Sequence, residues 1–564
     1  MATMTSENAD NARGTDRAGN GGPRPTAVAP GGSRGRFAGH YDVVVIGAGA
    51  AGAVVAARVS EDPARRVALV EAGPDYPLAT ALPADLADGH DNSYDAHDWG
   101  LQYLPVEARP DRTDRFPRGR VTGGSSAVNT TIALRGTPAD YDHWAASGNP
   151  AWAWDEVLAA FRRLERDLDF GDRPYHGDAG PISIRRFGPD ELVPTQAAFL
   201  DACAAIGHPA CADVNAPDAV GAGVMAVNKL GRLRISTAVG YLSAARHRPN
   251  LDILPGLAAR RVTFDGHRRV TGVDLVPSPA WSADDGDPPA FLAADLVVVC
   301  TGAVHTPGLL VRSGIGDRDE LDRLGVEQVR HAPGVGEGLQ DHPALAVVCV
   351  ARHPELCAPD LPLVQTITRY TAAGSSRPLD VNIELITRAR WGGNRSGRRP
   401  AAAFVVAPSL EQVDGRGRIR QRGLDPFGPV DVEPCFGVDA TDLARHVSAW
   451  QDALALTETA ALRPFIDEVV FPAAGRRSRD ELLRLAGVVS ASGYHPSCTA
   501  RMGPADDPGA VVDQYGRCHG VEGLVVADAS IMPAVPRANT NLTSIMIGEM
   551  IGEWLRRHPE RYRT

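Results

Sequence analysis

The sequence predicts an α/β unit of Rossmann type joined to an α+β unit built on a mostly antiparallel sheet. Three observations carry this. Residues 41–71 read strand, glycine turn, helix, strand and acid in that order. Short buried-strand runs recur at 251–254, 295–300 and 523–533, each followed by small or turn residues. After the glycine-rich connector 331–343 the texture changes to strand-like runs at 345–350, 381–385 and 402–406, followed by a long helical stretch, 441–461.

The first element is the apolar run Val43-Val44-Val45-Ile46, with the length and β-branched content of a buried parallel strand. Gly47, Gly49 and Gly52 follow in G-x-G-x-x-G spacing and lead into an Ala-rich helix, 50–60. The three glycines serve different ends. Gly47 makes the tight turn, Gly49 admits a pyrophosphate, and Gly52 lets helix and strand pack closely. Free N–H groups at the helix start, around Ala50 and Ala51, favour an anion there. Glu71, followed by Ala72, ends the second strand where a carboxylate accepts hydrogen bonds from a ribose. This order of features points to a dinucleotide and leaves NAD and FAD both open.

At 564 residues the chain is too long for one core. A formal net charge of −11 argues against nucleic acid and anionic membranes as partners. The eight cysteines show no C-x-x-C pair and no metal-ligand spacing, so we expect no metal and a reducing cytosol. Residues 1–39 lack apolar content and a secretory h-region and read as a disordered tail. No apolar run is long enough for an integral membrane segment. Together these features predict a cytoplasmic protein.

Further along, residues 72–117 read as an extended excursion and lead into Gly123-Gly124-Ser125-Ser126, a second place where backbone and hydroxyl donors can meet a phosphate. An amphipathic helix is predicted over 155–167 with Asp155 as its N-cap. A hairpin is predicted over 260–276 around Asp265-Gly266, and a helix over 306–316. In the second unit, Asn382 and Glu384 share one face of the run VNIEL. A final helix is expected over 543–557.

Five segments in fixed order then resemble the glucose–methanol–choline (GMC) family of FAD-dependent oxidoreductases. They are GRVTGGSSAVN (119–129), GAVHTPGLLVRSGIG (302–316), PGVGEGLQDHP (333–343), SGYHPSCTARMG (492–503) and VVADASIMPAVPRANTNLTSIMIGE (525–549). Thr122 stands where an aliphatic residue is usual. Cys498 and Ala500 depart from the usual HPVGTCRMG-like run. The resemblance, choline dehydrogenase-like, implies an FAD-binding domain of 40–160, 228–335 and 490–564. A discontinuous substrate domain of 161–227 and 336–489 completes it.

By the same resemblance, Gly47, Gly49, Ala50, Ala51, Gly52, Glu71 and Ala72 would hold the ADP half of FAD. Gly123, Gly124, Ser125 and Asn129 would line the pyrophosphate and flavin, and Asp528 with Ala529 the ribityl or pyrophosphate region. Some relatives attach FAD to a histidine just before the asparagine. Val128 stands there, so non-covalent FAD is expected. The implied catalytic pair is His495 and Asn539. A neutral imidazole accepts an alcohol proton near physiological pH, fixed donors stabilise the developing alkoxide, and FAD takes the hydride. His305, His331 and His342 read as structural. The expected partners are a small alcohol, and oxygen or another electron acceptor. A lyase of the same family, or a flavoprotein without catalysis, is the alternative.

Overall fold

The computed structural model describes residues 39–279, 288–390 and 402–562. The tail predicted over 1–39 lies outside these except for Gly39. Five parallel strands run in the order Leu251–Pro255, Val67–Glu71, His40–Ile46, Phe291–Val299 and Leu524–Val526. They pair in register, Val45 beside Leu69 on one side and Val298 on the other. Val43 to Ile46 and Val67 to Val70 are all buried, as a parallel sheet covered on both faces requires. The hairpin Leu257–Phe264 and Val270–Pro277 adds antiparallel strands beside the start of Phe291–Val299. Leu524–Val526 takes the other half of that edge, so the C-terminal segment closes the sheet begun by the N-terminal one.

The glycine turn is held by contacts that no side chain would fit. Gly47 has φ +94°, and a Cβ on Gly52 would sit 1.9 Å from the Gly47 carbonyl oxygen. The helix Gly52–Val59 therefore starts directly on the strand end. Its outer side packs against Thr540–Arg557, where a Cβ on Gly548 would lie 2.7 Å from the Ala51 carbonyl. Glu549, fully buried on that helix, accepts from Arg58, Arg163 and Tyr241 and ties three segments together.

The second sheet runs Ile466–Phe471, Val347–Ala351, Ala402–Leu410, Val381–Arg390, Val364–Tyr370 and Gly221–Val224, all antiparallel. Period-2 alternation divides its faces. Ile383, Leu385, Phe404 and Val406 join the core under helices Ala440–Glu458 and Pro194–Ala205. Glu384, Ile386, Val405, Ala407 and Ser409 face the other way, toward the first sheet.

Some local expectations need correction. The helix predicted over 155–167 spans Trp154–Leu164 with Ala153 as N-cap. Glu165–Asp167 is a short strand instead, because Glu165 and Asp167 are drawn into buried contacts with Arg135, His176 and Arg186. The helix predicted from 306 starts at Gly302 and carries Pro307 in its interior; the Ala303 carbonyl, which loses its helical N–H partner there, accepts the Thr499 hydroxyl at 2.6 Å instead. The strand over 345–350 is Val347–Ala351, and the final helix begins at Thr540. Among the described residues no helix is long and apolar enough to cross a membrane.

Candidate active site

A cavity of about 810 Å³ runs between the two sheets from Glu71 to His495. Gly47, Gly49, Ala50, Ala51, Glu71 and Ala72 line one end. The Glu71 carboxylate accepts the Ala48 amide at 2.9 Å and the Gly73 amide at 2.8 Å. Burial nonetheless pushes it up to about 7. A buried carboxyl facing a cavity suits a ligand that brings hydroxyl donors.

Gly124, Ser125, Asn129, Gly302, Asp528 and Ala529 line the middle. Gly124 has φ +52°, and its Cβ would lie 2.6 Å from Gly49 Cα, so the two glycine turns touch backbone to backbone. Ser125 Oγ accepts the Gly119 amide at 3.2 Å, and Asn129 Oδ1 accepts the Thr131 amide at 3.0 Å. Asp528 is already engaged: it accepts from the Gly302 amide at 2.8 Å, Thr306 Oγ1 at 2.7 Å and the Ser530 amide at 2.8 Å. Its carboxylate thus fixes the start of Gly302–Arg312 as well as lining the cavity. Gly52 and Gly123 do not line it. Gly52 packs helix on strand, and the Gly123 amide donates to Ala48 O at 2.7 Å behind the cavity wall.

At the inner end His495 is held at three points, one on its backbone and two on its ring. Its backbone amide donates to Asp341 Oδ1 at 2.8 Å, its Nδ1 lies 2.9 Å from His342 Nδ1, and its Nε2 lies 3.0 Å from Asn539 Nδ2. Asn539 immediately precedes the helix Thr540–Arg557, which fixes its backbone. Burial, then His342 and Arg118, hold His495 well below the usual imidazole range, so its ring is neutral at physiological pH.

His342, read from the sequence as structural, stands at the site itself. It touches the candidate base, and its Nδ1 also lies 3.3 Å from Glu411 Oε2. The signal was present in Gln340-Asp341-His342, but its partner is 153 residues away. His305 also lines the cavity, against the Trp99 ring at 4.3 Å between centroids, and burial presses it down to about 3. His331 lies outside the cavity wall. Glu384 lines the cavity as its strand face predicts, whereas Asn382 is buried beside it and does not reach the lining. Cys498 and Ala500 are buried in the core behind the site. Val128 lines the cavity beside Asn129 and offers no atom for a covalent bond to FAD.

This geometry coincides with a family-level finding. The models for the GMC oxidoreductase family match residues 41–344 and 414–548. The chain belongs to the GMC oxidoreductase family. It is 34% identical over 545 residues to the oxygen-dependent choline dehydrogenase of Stenotrophomonas maltophilia (strain R551-3), covering 92% of this chain and 95% of that protein. It is also 34% identical to an uncharacterised GMC-type oxidoreductase of Rhodococcus erythropolis, covering 90% of this chain and 97% of that one. The crystal structure of pyridoxine 4-oxidase from "Mesorbium loti" superposes with a TM-score of 0.82 at 28% identity, covering 92% and 100% of the two chains. This GMC protein is thus an oxidoreductase acting on alcohol-type donors, with FAD as the cofactor its family uses. The donor set fits FAD: a buried acceptor at Glu71, two apposed glycine turns, and a polar triad at the far end of one continuous cavity.

Proposed function

We propose that the chain oxidises a small alcohol to an aldehyde or ketone, with His495 taking the hydroxyl proton and Asn539 holding the oxygen. One observation carries this reading: at 3.0 Å, His495 Nε2 and Asn539 Nδ2 converge on the inner end of the cavity. Glu71, Ala72 and the turns at Gly47 and Gly124 would hold FAD, together with Asp528 and Ala529 on the same cavity lining. When bound there, FAD supplies the acceptor for the carbinol hydride.

The residues of the chain do the rest. The 2.9 Å contact between two Nδ1 atoms holds one proton, since two bare or two protonated nitrogens would repel. With that proton on His495, Nε2 keeps its lone pair and is the base. A substrate hydroxyl would then take the place of the Asn539 N–H at Nε2, donate to that nitrogen and accept from the released Asn539 amide, which stabilises the oxygen as its charge develops. Burial keeps the imidazole neutral until it takes the proton.

Non-covalent FAD is part of this proposal, supported by Val128. Acid precipitation should release the flavin into the supernatant. The eight unpaired thiols and the net charge of −11 favour a cytoplasmic protein with small-molecule partners and no nucleic acid. Oxygen or another electron acceptor would be the second partner that completes the turnover. The test is anaerobic absorbance of the FAD-loaded protein during titration with alcohols. Bleaching of the flavin band supports the reading. A bound flavin that no alcohol bleaches favours a lyase or a non-catalytic flavoprotein instead.

A further inference from the structure

The wall that the second sheet gives the cavity changes character along its length. Val381–Arg390 and Ala402–Leu410 pair with Glu384 beside Ala407, Ile386 beside Val405 and Ala389 beside Ala403, and all six line the cavity. Val364, on the next strand, pairs with Ile386 and extends that row across three strands. Ile386 and Ala389 are three residues apart and would face opposite ways on a regular strand. A bulge between them keeps both on the cavity side. Thr387 points to the other face, where it is fully buried and accepts the Gln196 amide at 3.0 Å.

This ladder starts at the reactive end. Ala344 pairs with Ser409 and stands two residues from His342, whose ring meets His495. Ser409 and Glu384 keep that end polar. The other end reaches solvent, where Arg388 meets the half-exposed Asp91 at 2.8 Å. Between these ends neither strand turns a hydrogen-bonding side chain toward the cavity, among the described residues. From Ala407 to Ala403 the apolar stretch measures about 13 Å, the length of an extended chain of roughly ten carbons. A polyol lying along it would give up its water contacts and find no partner.

We propose that this stretch is a trough for an unbranched apolar tail, making the preferred substrate a medium-chain primary alcohol whose hydroxyl reaches His495. The inference rests on the alcohol-oxidation reading and names its substrate class. Each methylene that enters the trough leaves water without breaking a hydrogen bond. Affinity therefore rises about 3- to 4-fold per added carbon. The gain stops once the tail spans the trough, because the next groups it meets are the charged Arg388 and Asp91. The small side chains of Ala389 and Ala403 leave the outer part open, and bulk placed there shortens it.

Two measurements on the FAD-loaded protein test this. The first is calorimetric binding of 2-methyl-2-alkanols of increasing length, tertiary alcohols with no carbinol hydrogen to transfer. Affinity should rise about 3- to 4-fold per methylene and level off at roughly ten carbons of tail. Ala389→Trp, which fills the outer part, should bring the levelling to a shorter chain. Ile386→Ser adds no bulk and should lower the gain per methylene, even where the tryptophan variant fails to fold. Affinity that ignores chain length overturns the proposal, as does a gain that the folded variants leave unchanged. The second is anaerobic flavin bleaching by 1-alkanols of the same lengths and by glycerol. Faster bleaching by the longer alkanols is expected, up to the same limit. Bleaching that ignores length, or that is faster with glycerol, sinks the trough and leaves alcohol oxidation standing. Length-dependent binding with no bleaching by any alcohol sinks the oxidation reading and leaves the trough.

Discussion

Gly124→Ala tests how the two glycine turns build the cofactor end of the cavity. The new Cβ would lie 2.6 Å from Gly49 Cα, a backbone atom that moves only if its turn moves. Gly124 also has φ +52°, which costs a non-glycine residue about 1–2 kcal/mol. Overpacking of a close contact adds about 1–3 kcal/mol. The sum, about 2–5 kcal/mol, falls on the one place where both turns meet the cavity. Gly325→Ala is the matched control. It has φ +68° at the end of Arg318–Leu324 with no atom within 4 Å of its Cβ, so only the conformational cost applies. Thermal unfolding and FAD titration by flavin fluorescence separate the two. Gly325→Ala should lose a little stability and keep its FAD affinity. Gly124→Ala should lose more stability and weaken FAD at least ~10-fold, the equivalent of about 1.4 kcal/mol. Equal FAD affinity in both variants would refute the claim that the apposed turns shape the cofactor site.

Other predictions follow from the same geometry. His495→Ala should retain FAD yet slow anaerobic flavin reduction by about 10²- to 10⁴-fold, as read by rapid mixing. Because burial holds His495 well below the usual imidazole range and its neutral form is the active one, flavin reduction in the wild type should stay flat as pH falls through about 6.5. A limb at an ordinary imidazole pKa would contradict this assignment. Burial opposes charge on His176, but hydrogen bonds to Asp213 and Glu165 outweigh it and raise its pKa when folded. Its contribution to stability is therefore complete below the unfolded pKa of about 6.5 and is lost as pH rises through the folded value. Urea midpoints across that range should fall with pH in the wild type and flatten in His176→Gln. Glu71→Ala should weaken FAD while leaving the fold intact, measured by flavin release on gel filtration.

Features governed by local chemistry were legible in the sequence. The strand–turn–helix at Gly47 to Gly52 depends on residues within one turn of each other, and the structure places it as the spacing implies. Period-2 alternation put Glu384 on the cavity face for the same reason. What the sequence hid was set by contacts between distant segments. His342 and His495 are far apart in the chain, and neither motif alone shows that their rings meet. Glu411 carried no motif at all. It follows Ala402–Leu410 and lies 3.3 Å from His342 Nδ1, a contact that no local pattern shows. Asp155 looked like a cap by residue type, but the cap is Ala153, two residues earlier, and Asp155 lies in the first turn.

The most direct test of alcohol oxidation at His495 is the rate of anaerobic flavin bleaching with a substrate deuterated at the carbinol carbon. The mechanism predicts bleaching by the protiated alcohol, slower bleaching by the deuterated one, and almost none in His495→Ala loaded with FAD. Bleaching at the same rate in His495→Ala as in the wild type would contradict the account.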